Sequence, residues 1–285
     1  MHKQLTDTQS NPYIPMMAEI EHIEALTERE TLFRVRLPHK LGHRPGQFVM
    51  AGLPGIGECA ISISSGPDSG EVLEMVIRRA GNVTGVLQQL KKTDCMAIRG
   101  PYGSGFELSE FSRHQGTRDI VIIAGGLGLV PLRSLILPIM ADKKNYGRVH
   151  LIIGTKSPRE VLFSEQIAQW KKQPECTIYE MVDDADFLPW HGKVGLVTEP
   201  IGQLSLDEQN TRVVLCGPPV MYKFVLLELK MHFNIADENI FVDLERRMRC
   251  GLGKCGHCQI NHLYCCQEGP VFRYSQLKDL PEALS

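Results

Sequence analysis

Five of the nine cysteines lie between positions 250 and 266, in the run Cys250-Gly-Leu-Gly-Lys-Cys255-Gly-His-Cys258 followed by Tyr264-Cys265-Cys266. The first three are spaced C-x4-C-x2-C, the spacing of plant-type [2Fe–2S] ligation, with a fourth thiol close behind. Glycines at 251, 253 and 256 let the backbone wrap tightly and aim its N–H groups at sulfur. Spacing alone leaves the choice between Cys265 and Cys266 as fourth ligand open. The alternative is a structural zinc held by four sulfurs, or by three with His257 or His262. Zinc sites usually pair two C-x2-C knuckles, whereas one x2 step, one x4 step and a glycine-rich wrap point to iron and sulfide. The other four cysteines are scattered singly, which speaks against a disulfide framework. A cluster of this kind carries one electron at a time, so the rest of the chain must supply its source.

With 285 residues, 43% of them hydrophobic, the chain is long enough for two domains and a small appendage. Its 22% charged residues sum to a net charge of −2, which offers no excess for binding a polyanion, so nucleic acid is not an expected partner. Met1 to Pro15 is polar and lacks the apolar core of a signal peptide, and no apolar run reaches membrane-spanning length. Free cysteines fit a reducing compartment, so the expected location is the cytoplasm.

Between 17 and 100, short apolar bursts predict six strands: Ala18–Ile23, Thr31–Leu37, Gln47–Leu53, Ala60–Ser64, Val72–Arg78 and Cys95–Arg99. Turn sequences such as Gly66-Pro-Asp-Ser-Gly70 separate them, one helical stretch, Val83–Leu90, interrupts them, and a small antiparallel barrel fits. From about Gly116 the texture becomes strand–helix alternation. Strands are expected at Ile120–Ala124, Val149–Gly154, Thr177–Val182 and Val213–Cys216, and helices near Leu132–Met140, Phe163–Lys171 and Val220–His232. Asp237–Asp243 reads as a bridge into the cysteine segment.

Two glycine loops lie where a parallel sheet binds ligands. The first strand runs into Ala124-Gly125-Gly126-Leu-Gly128, with Pro131 suited to the first turn of the next helix, whose N-terminus would face a pyrophosphate. A later strand ends in Cys216-Gly217-Pro218-Pro219, placing a thiol at the same edge, although free cysteine is as often simply buried. In the barrel half, Ile61-Ser62-Ile63, Val76-Ile77-Arg78 and Gly81-Asn-Val83-Thr84 form a candidate site for an anionic cofactor. The competing reading is ordinary strand and capping chemistry.

Together these segments resemble the ferredoxin–NADP reductase superfamily over nearly the whole chain. The stretch Leu244-Glu-Arg-Arg-Met-Arg-Cys250 through Cys258-Gln, closing on Cys266-Gln-Glu-Gly-Pro-Val-Phe272, is similar to the flavin- and cluster-bearing electron-transfer subunits of multi-subunit redox enzymes. These include the gamma subunit of soluble nickel–iron hydrogenases, the B subunit of anaerobic sulfite reductase and, more distantly, the electron-transfer subunit of dihydroorotate dehydrogenase. The resemblance implies a Greek-key flavin-binding barrel (15–113) after a tail (1–14), a parallel-sheet nicotinamide domain (114–240) and a [2Fe–2S] segment (241–285). It implies FAD at Ile61–Ile63, Val76–Arg78, Gly81 and Val83–Thr84. NAD(P)H is expected at Gly125, Gly126, Gly128 and Cys216–Pro219, with Cys216 orienting the ring. Relatives place the fourth cluster ligand two positions after a tyrosine, which selects Cys266 beside Cys250, Cys255 and Cys258. Gly100-Pro-Tyr-Gly103 matches the family's link between domains. Many members carry arginine ahead of the flavin strand, but this chain reads Glu58-Cys-Ala-Ile-Ser62, close to a G-E-x-P-I-S run in the hydrogenase-like branch.

The expected function is a diaphorase-type subunit that passes electrons from NAD(P)H through FAD and the cluster to partner subunits of a hydrogenase- or sulfite-reductase-type complex. The alternatives are a self-standing reductase for an acceptor such as ferredoxin and a zinc-stabilised binding protein.

Overall fold

The computed structural model describes residues 11–185, 187–280 and 282–284. Six antiparallel strands come first: β1 (Met16–Ala25), β2 (Glu30–Arg36), β3 (Phe48–Leu53), β4 (Gly57–Ser62), β5 (Val72–Arg78) and β6 (Cys95–Tyr102), with helix α1 (Asn82–Leu87) between the last two. Their order is β4-β3-β6-β1-β2-β5, and a bridge between Ile63 and Met75 joins the outer strands, which closes the barrel. Side-chain alternation divides each strand. In β5, Leu73, Met75 and Ile77 fill the barrel, while Val76 turns out to pack against the second sheet.

The second layer is built from β7 (Asp119–Gly125), α2 (Leu129–Ala141), β8 (Arg148–Thr155), α3 (Ser164–Trp170), β9 (Cys176–Val182), β10 (Lys193–Val194), β11 (Thr211–Cys216), α4 (Pro219–His232) and β12 (Ile240–Asp243). These strands pair in parallel in the order β10-β9-β8-β7-β11-β12. Runs such as Ile120–Ile123 and Val213–Leu215 are apolar at every position because both faces are covered. Ile120 and Ile122 face a core shared with α2 and α3, whereas Val121 and Ile123 face one shared with α4 and the cysteine segment.

That last segment folds onto the sheet. It forms a small hairpin, β13 (Gln259–Ile260) and β14 (Leu263–Tyr264), then β15 (Val271–Arg273) and α5 (Tyr274–Leu277). Strand β15 pairs antiparallel with β12, so the sheet continues past residue 240. The expected strands and helices are present with shifted ends, while the bridge expected over 237–243 contains strand β12. Among the described residues no helix is long and apolar enough to cross a membrane.

Buried Arg133 of α2 fastens the sheet domain to the barrel. It donates to Ser64 O (2.9 Å) and to Glu74 Oε2 (2.7 Å), while Arg34 holds the other oxygen of Glu74. Burial raises the Glu74 carboxyl, but Arg133 and Arg34 outweigh it and keep it below its ordinary value. Glu74 therefore adds stability above the unfolded carboxylate range, and the contribution is lost as pH falls through its depressed folded value. Arg133→Met should cost about 3 kcal/mol in urea unfolding at pH 7. The difference between variant and wild type should narrow below about pH 4.

Candidate functional site

Strands β8 and β9 lie to one side of β7 and β12 lies to the other side of β11, so the chain changes direction between β7 and β11. A crevice opens outside the carboxyl ends of two such strands, and both glycine loops flank it. They touch: a Cβ on Gly125 would lie 2.6 Å from Met221 Sδ and 2.9 Å from Pro218 Cδ. Cys216 is 1% exposed, and burial drives its thiol well above its ordinary value, so it is a protonated group beneath the loop with no open face for attack.

On the barrel, Ser62 and Arg78 are half-buried, whereas Ile61, Ile63 and Ile77 point into the interior and offer a ligand only their backbone. Val76 presents its side chain to the sheet domain. Arg78 pairs with Glu30 on β2 and also lowers the carboxyl of Glu245 from across the structure. Glu245 is exposed by area yet walled by protein, and that surrounding mass raises it overall. At the start of α1, Thr84 Oγ1 accepts from the N–H groups of Ala80 and Gly81 (both 2.9 Å), so its hydroxyl shapes the turn that carries Gly81 and Val83.

The cysteine run forms a nest. Gly251, Gly253 and Gly256 have φ of 73°, 68° and 75°, the left-handed conformation that coils the loop around its own sulfurs. Leu252 and Lys254 direct N–H groups at Cys250 Sγ (3.3 and 3.4 Å), and Gly253 directs its own at Cys266 Sγ (3.1 Å). Cys265 turns away, its thiol donating to Leu244 O (3.4 Å) in a fully buried position. Cys258 and Cys266 are buried, Cys250 is half-buried and Cys255 is exposed, so the nest opens to solvent at one thiol. The backbone N–H of His257 lowers that thiol. Among the described residues no three His, Cys, Asp or Glu side chains are drawn together to hold a single ion. Four thiols, two of them accepting from backbone amides, fit a two-iron cluster, in which each iron takes only two of them.

Several residues near these sites carry no local sequence signal. Asp243, 3% exposed at the end of β12, sits beside Cys216 in register, and its Oδ2 has no hydrogen-bond partner. Tyr222 donates to the Asp243 carbonyl (2.6 Å) and accepts from the N–H of Gly217 (3.2 Å), linking the loop to β12. Burial, then Glu245, raises the Asp243 carboxyl to about 8. A buried acid without a cation announces itself only once the strands are paired.

A closed barrel, a nicotinamide-type crevice and a cysteine nest on one chain define an NAD(P)H-dependent flavin oxidoreductase that also carries an iron–sulfur cluster. Residues 17–106 match the family of oxidoreductase FAD-binding domains, and residues 122–226 match that of oxidoreductase NAD-binding domains. Residues 245–278 match the iron–sulfur cluster binding domain of dihydroorotate dehydrogenase B. The chain is 37% identical to the sulfhydrogenase 1 gamma subunit of Pyrococcus furiosus over 99% of its own length and 98% of that protein's. It is 30% identical to the probable dihydroorotate dehydrogenase B electron transfer subunit of Methanocaldococcus jannaschii, covering 94% and 93% of the two chains. In fold it is similar to the NADH-dependent reduced ferredoxin-NADP oxidoreductase, with a TM-score of 0.73, 22% identity and 94% and 92% of the two chains covered. The chain belongs to the family of FAD-, NAD- and iron–sulfur-binding electron-transfer subunits that includes the sulfhydrogenase gamma subunits. The expected family, architecture and cofactors hold.

Asp243 supplies a test of this interior. Its folded value lies above the unfolded one, so below about pH 4 the group is neutral in both states and its ionisation has no effect on stability. As pH rises towards 8, only the unfolded chain ionises, and stability falls. Asp243→Asn should remove that slope, gaining on wild type by about 1.4 kcal/mol per pH unit across the window in denaturant titrations.

Proposed function

We propose that this chain takes electrons from NAD(P)H through FAD to a [2Fe–2S] cluster and on to the catalytic partner of a cytoplasmic hydrogenase- or sulfite-reductase-type complex. The observation that carries the reading is the thiol nest, with amide donors aimed at two of its sulfurs and its single exposed thiol, Cys255. Cys250, Cys255, Cys258 and Cys266 are the ligands, and the face around Cys255 is where the partner docks.

Bound together, the nicotinamide supplies a hydride, the flavin parcels two electrons into single ones, and the cluster carries them one at a time. The chain's own residues bind and orient. The Ser62 and Arg78 side chains, the Val76 surface, the backbone of Ile61, Ile63 and Ile77, and the turn Gly81–Thr84 hold FAD. Gly125, Gly126, Gly128 and Gly217–Pro219 form the nicotinamide cradle. Cys216 shapes the wall on which the nicotinamide is oriented, as a thiol that stays protonated. Val76 and Arg78 lie on the barrel face turned towards the sheet, which supports a flavin bound between the two domains.

Cys255→Ser should abolish cluster absorbance and electron delivery to an external acceptor while leaving NAD(P)H reduction of the flavin within about twofold of wild type. Equal loss of flavin reduction in folded, flavin-replete protein would show that the linear relay is wrong.

A further inference from the structure

Glu58, which stands close to where many superfamily members carry arginine, has a partner that reaches the cluster loop. Arg99 of β6, 6% exposed, forms a fork on the Glu58 carboxylate, with Nε donating to Oε2 at 2.8 Å and Nη2 to Oε1. The same Nη2 donates to the carbonyl of Cys250 (3.2 Å), and Nη1 donates to Tyr102 Oη (2.8 Å) and Pro12 O (2.9 Å). One buried guanidinium thus ties two barrel strands, the chain's first described residues and the opening residue of the thiol nest. A lysine could not do this, because it lacks the planar fork.

The contacts continue along the turn that follows Arg99. The Tyr102 ring packs against Gly251, where a Cβ would come within 2.9 Å of it. Further on, Gly103 leaves no room for a Cβ against Pro270 Cδ (2.5 Å), and Ser104 donates from its N–H to Gly269 O (2.6 Å) and from its hydroxyl to Val271 O (3.1 Å). The segment from 99 to 104 therefore grips the cysteine segment at both ends, at its first thiol residue and after its last.

We propose that Arg99, held by Glu58, is a positioning residue that fixes the cluster loop against the flavin barrel and so sets the path for electrons between the two cofactors. The inference rests on the relay described above. It also gives Glu58 a role: the carboxylate orients Arg99 towards the loop.

The test compares wild type with Arg99→Met and the milder Glu58→Gln, both in full-length, cofactor-replete protein. Stopped-flow mixing with NAD(P)H should show flavin reduction within about twofold of wild type and cluster bleaching slowed severalfold or more, because electron transfer between the two cofactors falls off exponentially with their separation. Amide hydrogen exchange should accelerate by about tenfold or more across residues 250–254, and not in β7 or β11. Arg99→Lys should recover only part of either effect. If Arg99→Met does not fold, Glu58→Gln decides. Unchanged cluster bleaching together with unchanged exchange at 250–254 in a folded variant overturns the proposal. A wild-type protein whose flavin is reduced but whose cluster never bleaches overturns the relay instead, and the exchange measurement still reads the strut.

Discussion

Gly128 and the carbonyl of Cys216 set the tightest contact at the crevice: a Cβ on Gly128 would lie 2.2 Å from that oxygen and 2.8 Å from Gly217 N. No side chain survives there without separating β7 from β11 at their carboxyl ends. Since these two strands are hydrogen-bonded neighbours along six residue pairs, their separation would open the sheet through its centre. The bare backbone lets two loops from distant parts of the chain meet over one crevice. It also seats Cys216 and Asp243 side by side beneath them.

The cysteine segment obeys a similar rule at a larger scale. It has little apolar surface of its own, so Cys258, Ile260, Cys265, Cys266 and Phe272 complete a core begun by the sheet and α4. Two of its thiols, Cys250 and Cys266, accept from backbone amides, and its ends are held by the barrel. The nest is thereby tied to both domains that carry the other cofactors, and relative motion of any one of the three would be resisted by the other two.

Much of this was legible in the sequence because it depends on residue type at close spacing. The glycines of 125–128 and 251–256 and the thiols they frame are local, and a strand buried on both faces reads as an unbroken apolar run. What escaped reading depends on contacts made across the chain. Strand β12 is only four residues long and ends in an acid, so Ile240–Asp243 looks like a connector until β11 and β15 pair with it. Spacing alone leaves Cys265 and Cys266 open and only the resemblance favours Cys266; the N–H that Gly253 aims at the Cys266 sulfur has no sequence signature. Glu58 and Arg99 are 41 positions apart, and Arg99 and Cys250 are 151 apart, distances at which no pattern joins them. In the barrel, only the pairing of the strands shows that the side chains of Ile61, Ile63 and Ile77 turn inward while Ser62 and Arg78 stay half-buried.

Strand β15 begins five residues after Cys266 and covers the flank of β12. Without it, β12 would present a row of unpaired amides and carbonyls, the kind of margin onto which foreign strands add. The nest and the protection of that margin are therefore joined by a very short tether. The segment that carries the thiols thus also shields the last parallel strand from adding a foreign one.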